Sequence, residues 1–473
     1  MSLSLFDSRA QAVRAFEPIV AGKVGIYLCG PTVQGLPHVG HLRSALVYDQ
    51  LRRWLSVSGS EVTLVRNITD IDDKVLDNAK ETGEQWWALA YRFELAFNQA
   101  YTALQIAPPT YEPRATGAIP EMLDLIERLI AAGYAYQAED GSADVYFAAS
   151  KWAKYGELTN QKIDDMAPDA EVALRGKRDP RDFALWKAHK AGDAGSAAWN
   201  TRFGAGRPGW HIECSAMATK YLGAQFDIHG GGLDLRFPHH ENELAQSSAA
   251  GDAFANYWLH NGLVNVSGQK MSKSLGNSIF AADLLAAARP IVVRYYLGSA
   301  HYRSVLDYHE GVLDEAESAM TRIETFIEKA SRRLGNAPIL GLAEIRTSLP
   351  AAFSNAMDED LAIPAALAAL HDEVRVGNSA IDSADDSALA SSLRAVIAMT
   401  TVLGINPLDW AASTSSSGGN EKALAHLVQG LIAERNAARA DKDFAKSDAI
   451  RNQLQAAGIT LEDSADGTHW SVN

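Results

Sequence analysis

The chain has 473 residues and a mass of 51.0 kDa, which is too long for one compact core and, at about 150 residues per domain, predicts about three domains. Its 47% hydrophobic and 21% charged residues are typical of a globular protein and exclude a disordered, collagen-like or coiled-coil chain. The 43 basic and 58 acidic residues give a formal charge of −15, so a nucleic acid would have to bind a local basic surface rather than the average field of the molecule.

The cysteine content and the N-terminus exclude two further classes. Cys29 and Cys214 are the only cysteines, which excludes a secreted scaffold held together by disulfides. The N-terminal residues lack a basic segment followed by an apolar one, so we expect no signal peptide. No uninterrupted apolar run reaches the roughly 18 residues of a membrane span. We therefore expect a cytoplasmic protein without a membrane segment.

The N-terminal part of the chain alternates between strand and helix patterns. Residues 23–29 form a short apolar run bounded by Gly22 and by Gly30-Pro31, as a buried strand does. Apolar residues at helical spacing predict a helix from about His41, and residues 61–68 are the next predicted strand. A strand, a helix and a strand of this length indicate a βαβ unit and a parallel sheet.

The pattern changes after this unit. Between residues 101 and 206 helical segments mix with short strands, and we interpret this segment as an insertion. The alternation resumes at Trp210, with a predicted strand at 226–229 that ends before three successive glycines. From about residue 308 to residue 405 the sequence is almost wholly helical in period.

The C-terminal part begins with a segment rich in serine and glycine. Residues 413–420 have the composition of a flexible linker. Residues 421–473 are enough for a small appended domain.

The segment Pro37-His38-Val39-Gly40-His41 lies between the first predicted strand and the first helix. In an open parallel sheet, ligands bind at this place, and helix N–H groups there favour anions. The imidazoles of His38 and His41 can donate hydrogen bonds to a phosphoryl group that gains charge, and Gly40 lets a flat base approach the backbone. Taken alone, the pattern is equally compatible with surface or structural histidines.

A second motif, Lys270-Met271-Ser272-Lys273-Ser274, is followed by Leu275-Gly276-Asn277. Its two lysines can neutralise the charge of a triphosphate, and a flexible loop can close over a nucleotide and reopen. A solvated turn is the ordinary alternative for such a pair of lysines.

Together the two motifs resemble the paired signatures of the class I aminoacyl-tRNA synthetases, with Val39 where that family usually has isoleucine. The resemblance implies in-line attack of an amino-acid carboxylate on the α-phosphate of ATP, with Mg²⁺ and without a covalent enzyme intermediate. It implies that His38 and His41 stabilise the α-phosphate. It also implies that Lys273, aided by Lys270, holds the β- and γ-phosphates.

The two cysteines could form a metal site with downstream residues. Cys29 ends the first predicted strand, and Pro238 is well placed to start a helix that contains His239, His240 and Glu243. The spacing from His239 to Glu243 is i, i+4 and that from His240 is i, i+3, so spacing does not choose between the two histidines. Two thiolates, an imidazole and a carboxylate would suit zinc. The alternative is that the cysteines are small buried hydrophobic residues and the histidines belong to the core.

Four segments resemble the cysteinyl-tRNA synthetases in particular. They are Leu28-Cys29-Gly30-Pro31-Thr32-Val33, Asn67-Ile68-Thr69-Asp70-Ile71-Asp72-Asp73-Lys74, Gly209-Trp210-His211-Ile212-Glu213-Cys214-Ser215 and residues 237–243. The resemblance extends to the C-terminal Asp466-Gly467-Thr468-His469-Trp470. One departure is Gln34-Gly35, where that family usually has Tyr-Asp, and it affects the shape of the entry turn rather than the chemistry.

This resemblance implies one zinc ion bound by four ligands, namely Cys29, Cys214, His239 and Glu243. Zinc would separate cysteine from serine, because it binds sulfur far better than a neutral hydroxyl group. It would bind the substrate sulfur directly and would activate no water. An editing domain would then be unnecessary, which agrees with the small size of the insertion.

The remaining pocket residues are expected from their places beside these motifs. The amino-acid substrate would contact Cys29, Gly30, Thr32, Thr69 and Trp210, with Trp210 against its Cα side. Gly230, Gly231 and Gly232 would let adenosine approach the backbone, and Asp234 would bind the ammonium group or the ribose hydroxyls. The acidic residues Asp70, Asp72 and Asp73 are expected to form a charge cluster at a helix N-terminus rather than a metal site.

The resemblance also implies the domain order. A Rossmann-type parallel-sheet catalytic domain (1–100 and 207–310) would be interrupted by a connective-peptide insertion (101–206). A helical bundle (311–410) and a small anticodon-binding domain (421–473) would follow.

The last segment contains a regular basic pattern. Arg435, Arg439, Lys442 and Lys446 are spaced i, i+4, i+7 and i+11, which would place all four on one helix face. A solvated helix explains the spacing equally well, but in a chain of charge −15 the stripe is a candidate for tRNA phosphate contacts. Trp470 offers a surface on which an unstacked anticodon base could stack.

The sequence is compatible with three functions. The first is a monomer that activates L-cysteine with ATP and transfers it to the 3′ end of tRNA(Cys). The second is a cysteine ligase of mycothiol biosynthesis, which shares the zinc site and the ATP motifs but uses an amino-sugar acceptor and lacks the C-terminal domain. The third is a non-catalytic paralogue, which usually would have lost a histidine or lysine of the ATP motifs. Because this chain has residues 421–473 and all four motif residues, the sequence favours the first.

Overall fold

The computed structural model describes residues 3–161, 176–271, 276–414, 419–464 and 467–472. The chain divides into two compact units, Met1–Ile405 and Asn406–Asn473.

The first unit contains both helices and strands. Its helices are α1 (Val39–Val57), α2 (Asp73–Thr82), α3 (Trp86–Ala103), α4 (Ile119–Ala131), α5 (Trp210–Leu222), α6 (Glu241–Ala249), α7 (Ala281–Ala287), α8 (Pro290–Ser299), α9 (Val312–Leu334), α10 (Leu342–Ser348), α11 (Ala351–Asp358), α12 (Ile363–Asp382) and α13 (Asp386–Leu403). Its strands are β1 (Ser4–Asp7), β2 (Ala12–Ala15), β3 (Lys23–Leu28), β4 (Glu61–Arg66), β5 (Ala135–Gln137), β6 (Val145–Phe147), β7 (Phe183–Ala188), β8 (Trp199–Thr201), β9 (Gly204–Pro208), β10 (Gln225–Gly232), β11 (Phe254–Asn261), β12 (Val264–Val266), β13 (Gln269–Lys270) and β14 (Leu306–Tyr308).

The core of this unit is a four-stranded sheet in the order β11-β10-β3-β4, and all of its strand pairs are parallel. The predicted βαβ unit is present as β3, α1 and β4. Most residues of β10 and β11 are buried, as expected for strands that are covered on both faces. The α/β fold class with a parallel sheet is therefore confirmed.

The strand β10 is longer than predicted. It continues through Gly230, Gly231 and Gly232, which pair with the last residues of β11, so the prediction that the strand ends before these glycines is wrong. Their lack of side chains has a packing reason. A Cβ atom on Gly230 would lie 2.2 Å from the Tyr48 ring, and one on Gly231 would lie 2.8 Å from the His240 ring.

The inserted segment forms a five-stranded sheet in the order β5-β6-β7-β9-β8 with antiparallel pairing, and residues 162–175 lie outside the described part of the chain. Asp73, the first residue of α2, connects to this sheet through Lys187, Lys190 and Arg207. Burial raises the pKa of Asp73, but these cations outweigh it and hold the pKa well below its usual range.

The acidic cluster is only partly as expected. Asp72 is the N-cap of α2 and accepts a hydrogen bond from the Lys74 N–H at 2.9 Å, and Asp73 lies in the first turn. Asp70 belongs elsewhere, because its carboxylate accepts hydrogen bonds from the backbone N–H and the hydroxyl of Thr116.

Helices α9 to α13 follow the sheet and pack on one another. Among the described helices, α13 has the length and hydropathy of a membrane span, and 61% of that window is buried inside the protein, as in a core helix.

A buried ion pair connects helix α1 to helix α8. Arg294 of α8 donates to the carboxylate of Asp49 in α1 at 2.5 Å, and both side chains are almost completely buried. Arg294 also donates to the carbonyl oxygens of Leu104 and Leu403. Burial raises the pKa of Asp49, but Arg294 and Arg53 outweigh it and keep the pKa below its ordinary value.

The second unit is small. It contains α14 (Pro407–Thr414), α15 (Gly419–Ala440), α16 (Phe444–Ala456) and an antiparallel hairpin of β15 (Ile459–Ser464) and β16 (Gly467–Val472). Its core consists of Val428, Ile450, Leu454 and Ile459. The prediction of a flexible linker at 413–420 is wrong at both ends of the segment, where residues 413–414 belong to α14 and residues 419–420 to α15. Residues 415–418 lie outside the described residues.

The basic residues of this unit do not share one helix face, and that prediction is wrong. α15 ends at Ala440, Lys442 has a left-handed φ of 64°, and α16 begins at Phe444. The interruption arises because Asp443 caps α16 by accepting a hydrogen bond from the Lys446 N–H at 3.1 Å. Arg435 is buried, whereas Arg439, Lys442 and Lys446 are exposed.

Trp470 lies on β16 opposite Leu461. Its ring packs against the core of the small unit and is half-buried, so a large part of its surface already has a packing role. Stacking of an anticodon base on Trp470 stays a prediction.

Replacing Asp49 by asparagine leaves the Arg294 guanidinium buried without an anionic partner. We expect the free energy of unfolding of Asp49→Asn to fall by about 3–5 kcal/mol, as is typical when one member of a buried pair is removed. Urea unfolding at pH 7 measures this. Asp372→Asn breaks an exposed pair with Arg375 and serves as the control, with an expected loss below about 1 kcal/mol. Equal losses in the two variants would contradict the assigned role of the buried pair.

Candidate functional site

A cavity of about 410 Å³ opens at the carboxyl ends of β3 and β10, where an open parallel sheet binds ligands. It brings together most of the residues that the sequence predicts. The predicted site residues that line it are Cys29, Gly30, Thr32, His38, Gly40, His41, Thr69, Trp210, Cys214, Gly232, Asp234, His239 and Lys270.

The first ATP motif forms the start of α1. The His38 N–H donates to Nδ1 of His41 at 3.2 Å, and the two rings stack with centroids 3.6 Å apart. The His41 ring also contacts Phe97 of α3 edge-on. A Cβ atom on Gly40 would lie 3.2 Å from the His38 ring, so glycine keeps this side of the cavity open.

The second ATP motif begins beside the first. Lys270 ends β13 and is exposed, and both Lys270 and Met271 line the cavity. The Cε atom of Met271 lies 3.8 Å from the Cβ position of Gly40. Lys273 lies outside the described residues.

The four residues implied as zinc ligands lie together and are buried. One donor atom each from Cys29, Cys214, His239 and Glu243 lies within 4.8 Å of every other. The two Sγ atoms are 3.5 Å apart, Cys29 Sγ is 3.4 Å from Glu243 Oε1, and His239 Nε2 is 3.0 Å from the same oxygen. Two sulfurs, one nitrogen and one oxygen at this spacing fit the donor set and the tetrahedral preference of zinc.

A second set of four residues overlaps with the first. Cys29 and Glu243 also lie within 4.8 Å of ring nitrogens of His229 and His240. The cavity distinguishes the two sets, because Cys29, Cys214 and His239 line it whereas His229 and His240 do not. His240 instead contacts His260 through its Nδ1 atom at 2.9 Å. A metal in the first set could reach a ligand in the cavity, which is a reason to prefer His239 that spacing alone could not supply.

The helix that carries Glu243 begins later than expected. Arg236–His240 form a π-type turn in which Phe237 has an extended backbone, and the regular helix α6 starts at Glu241 rather than at Pro238. His239 and Glu243 nevertheless contact each other as their spacing predicts.

Electrostatics favour the charged forms of Cys214, His239 and Glu243, whereas burial and the neighbouring Cys214 raise the pKa of the Cys29 thiol well above its usual value. Burial raises the pKa of Cys214, but hydrogen bonds from Cys29 and His239 outweigh it and lower the pKa to about 6. Burial lowers the pKa of His239, but Glu243 and Cys214 raise it to about 10. Burial raises the pKa of Glu243, but His229 and His239 hold it well below its usual value. The Cys214 thiolate and the Glu243 carboxylate are forms that bind a metal cation, whereas the Cys29 thiol and the protonated His239 ring would have to release a proton to bind one.

The predicted amino-acid pocket surrounds this cluster. Trp210, the first residue of α5, stacks on His239 with ring centroids 4.2 Å apart. Thr69 is buried and forms a bridge to Thr32, while its hydroxyl donates to Glu213 at 2.9 Å. A Cβ atom on Gly30 would lie 1.6 Å from the Asn67 carbonyl oxygen, so only glycine fits there.

The predicted adenosine contacts divide into two groups. Gly232 and Asp234 line the cavity, and Asp234 is exposed. Gly230 and Gly231 lie behind it and face Tyr48 and His240. Glycine is therefore required at positions 230 and 231 by packing inside the protein.

Three supporting residues were missed by the sequence reasoning. The Oδ1 atom of Asn67 accepts a hydrogen bond from the Gly30 N–H at 2.9 Å and lies 3.5 Å from the Cys214 sulfur. Glu213 holds the Thr69 hydroxyl, and His229 contacts the second oxygen of Glu243 at 2.8 Å. Asn67 and Glu213 stand inside the segments that carried the resemblance, and His229 ends the predicted strand. Their positions beside the motifs could have marked them as candidates. Their roles could not be predicted, because each contact joins residues that are distant in the sequence.

Comparison with protein-family models matches three parts of the chain. Residues 15–318 match the class I (C) tRNA synthetase catalytic domain, and residues 352–407 match the DALR domain. Residues 422–470 match the cysteinyl-tRNA ligase anticodon-binding domain.

Several similar proteins match over the full length. A cysteine–tRNA ligase from Clavibacter sepedonicus is 61% identical over 482 residues, which cover 100% of each chain. One from Leifsonia xyli is 60% identical over 477 residues, again covering 100% of each chain. One from Micrococcus luteus is 56% identical over 487 residues with the same coverage.

Solved structures show the same fold at low identity. A Mycobacterium tuberculosis methionyl-tRNA synthetase in complex with methionyl-adenylate has a TM-score of 0.59 and 16% identity, and the match covers 81% of this chain and 90% of that one. A leucyl-tRNA synthetase from Agrobacterium radiobacter in a ternary complex with tRNA has a TM-score of 0.62 and 12% identity, with 84% and 86% covered.

An alanine at position 230 tests the packing behind the cavity. Its Cβ atom would displace Tyr48, whose hydroxyl donates to Leu259 and accepts from the Gly231 N–H, both at 2.7 Å. We expect Gly230→Ala to lower the free energy of unfolding by about 1–3 kcal/mol, as overpacking does. Gly117→Ala is the control, because no atom lies within 4 Å of its Cβ position. Urea unfolding in which Gly230→Ala loses no more stability than Gly117→Ala would contradict this account.

Proposed function

The chain belongs to the cysteine–tRNA ligase family of class I aminoacyl-tRNA synthetases, and from this membership we propose how its residues carry out the reaction. The enzyme charges tRNA with cysteine at the expense of ATP, as the sequence predicts. The amino-sugar ligase is not favoured, because full-length relatives are cysteine–tRNA ligases and an anticodon-binding domain is present.

The first step is activation of the amino acid. The carboxylate of cysteine attacks the α-phosphate of ATP, forming cysteinyl-adenylate and releasing pyrophosphate. His38 and His41 are proposed to donate hydrogen bonds to the α-phosphate as charge develops on it. Lys270 and Lys273 hold the β- and γ-phosphates together with Mg²⁺. The support for these roles is that both histidines and Lys270 line one cavity.

The second step transfers cysteine to tRNA. A hydroxyl group of the 3′-terminal ribose attacks the carbonyl carbon of the adenylate, and AMP leaves. Because the step needs no covalent enzyme intermediate, the protein contributes positioning and charge stabilisation. Trp210, Thr69, Thr32 and Gly30 are proposed to hold the amino acid, and Gly232 and Asp234 to contact the nucleotide.

We propose that Cys29, Cys214, His239 and Glu243 bind zinc at the inner end of the cavity. The bound zinc supplies a thiophilic partner for the substrate side chain, which the hydroxyl of serine does not match. Glu243 is oriented by His229, and His239 by the contact of its Nδ1 atom with His211 at 3.0 Å. This arrangement would give selectivity without an editing site.

The proposed assembly follows the predicted domains. Residues 1–100 and 207–310 form the catalytic domain, 101–206 the insertion, 311–410 the bundle and 421–473 the anticodon-binding domain. We propose that the enzyme acts as a cytoplasmic monomer. The exposed cations Arg439, Lys442 and Lys446 are the proposed tRNA phosphate contacts of the small unit.

Adjacent histidines provide a matched test of the zinc site. His239→Asn removes a proposed ligand, whereas His240→Asn changes a buried neighbour that does not line the cavity. We expect His239→Asn to lose bound zinc and to lose at least about 100-fold in kcat/KM for cysteine over serine, because the thiophilic partner is lost. Metal analysis and ATP–pyrophosphate exchange measure the two effects. Zinc loss confined to His240→Asn would move the site to the second set of residues.

The division of labour between the units is tested by truncation. A chain that ends at residue 420 should lose most tRNA charging and keep ATP–pyrophosphate exchange within about twofold, because activation needs only the cavity residues of the first unit. In the full chain, Arg439→Gln with Lys442→Gln and Lys446→Gln should raise the KM for tRNA and reduce its dependence on salt. Equal loss of exchange and charging in the truncated chain would contradict the division.

A further inference from the structure

Arg43 is a buried arginine with an unusual set of partners. It stands in α1, two residues after His41, and only 1% of it is exposed. Its Nη1 atom donates to the Leu263 carbonyl oxygen at 3.0 Å, and its Nη2 atom donates to the carbonyl oxygens of Ser304 at 2.6 Å and His301 at 3.2 Å.

In the described part of the chain, no carboxylate compensates the charge of this cation. Among the residues that the structure describes, no carboxylate forms an ion pair with Arg43, and its Nε atom has no hydrogen-bond partner. Burial lowers the pKa of Arg43 to about 10, so the side chain stays charged at neutral pH. A buried cation without a counter-charge is costly, and a leucine or methionine would fill the same space without that cost. The three hydrogen bonds are what an apolar side chain could not supply.

The carbonyl acceptors stand at the base of a small sheet. Leu263 directly precedes β12, which pairs with β13, whose last residue is Lys270. Ser304 precedes β14, which pairs with β12 on the other side. The Leu263 carbonyl also accepts from the Leu306 N–H at 3.0 Å, so one guanidinium group holds both strands where they begin.

The same helix start also holds the far end of the second ATP motif. The Val39 N–H donates to the Ile279 carbonyl at 2.9 Å, and the Ala281 N–H donates to the Pro37 carbonyl at 2.9 Å. The segment between Lys270 and Ile279 is therefore attached to α1 on both sides. Backbone hydrogen bonds make the attachment after the motif, and the Arg43 side chain makes the one before it.

We propose that Arg43 is a positioning residue that sets the distance and register between the histidines of the first ATP motif and Lys270 of the second. The planar guanidinium suits this role, because its donors point in fixed directions to three acceptors. The proposal rests on the proposed roles of His38, His41 and Lys270 in binding the phosphates of ATP.

Two substitutions separate positioning from charge. Arg43→Lys keeps a positive charge but loses the fork of donors, and Arg43→Met loses both. We expect both variants to lower kcat of cysteine-dependent ATP–pyrophosphate exchange by about 10- to 100-fold, because small misplacements of reacting groups cost that much. The KM for cysteine should stay within about twofold, since Cys29, Cys214 and His239 stand on other elements. Zinc content should be unchanged.

A matched control uses the other buried arginine that contacts α1. Arg294→Lys disturbs the same helix at Asp49, which lies about two turns after His41 and does not line the cavity, and it imposes a similar burden on folding. We expect it to lower Tm while kcat stays within about twofold of wild type. Gly262→Ala provides a second route, because its Cβ atom would lie 2.2 Å from the Ser304 carbonyl oxygen and would shift an acceptor of Arg43. It should reproduce the loss of kcat even if the Arg43 variants fail to fold.

Several outcomes would overturn the proposal. Near-wild-type kcat in Arg43→Lys would show that charge alone suffices, and the same result in Arg43→Met would show that neither matters. A parallel loss of kcat in Arg294→Lys would show that general destabilisation explains the effect. His41→Ala, measured in the same assay, distinguishes failure of the Arg43 proposal from failure of the proposed ATP site. Full activity of His41→Ala would contradict the proposed ATP site itself. If His41→Ala loses activity as expected but the Arg43 and Gly262 variants keep wild-type kcat, only the role of Arg43 is contradicted.

Discussion

The parallel pairing of β3 and β10 is the constraint on which the site depends. It continues past the end of β3, where the Cys29 N–H donates to the Gly230 carbonyl at 3.0 Å. This hydrogen bond fixes the Cys29 sulfur at the carboxyl edge of the sheet, beside Cys214 on α5 and Glu243 on α6. A sheet of parallel strands offers such an edge because all strand ends, and the helix N-termini that follow them, face the same way. The cavity, the cluster of proposed metal ligands and the position of the first ATP motif are all consequences of that alignment.

Helix α1 is the element that relates these parts to one another. Its first turn carries His41, and Arg43 reaches the base of the small sheet in which β13 ends at Lys270. The supporting contacts are mostly hydrogen bonds to carbonyl oxygens rather than surface ion pairs. Such contacts are directional and are little screened by salt, which suits a site whose chemistry depends on placement.

The sequence predicts the βαβ unit, the two ATP motifs and the candidate ligands, because these are local patterns or short spacings. Spacing does not choose between His239 and His240, since both spacings are sterically allowed; the family resemblance implies His239, and the lining of the cavity supports that choice. The prediction for β10 is wrong because glycines usually interrupt strands, whereas here Tyr48 and His240 occupy the space that side chains would need. The prediction of one basic helix face is wrong because it assumes that the helix continues through residues 441–443. In the structure, Asp443 caps a new helix at this place. Each error arises where a tertiary or capping contact outweighs a periodic pattern.

The turn between α15 and α16 sets the shape of the surface proposed to contact tRNA. Arg439 lies in the last turn of one helix, Lys442 in the turn and Lys446 in the first turn of the next helix. Positive charge is thus distributed around a bend instead of along a straight rod. A bent row of cations can follow the tightly curved sugar-phosphate backbone of a hairpin loop, whereas a straight row suits the even phosphate spacing of a duplex.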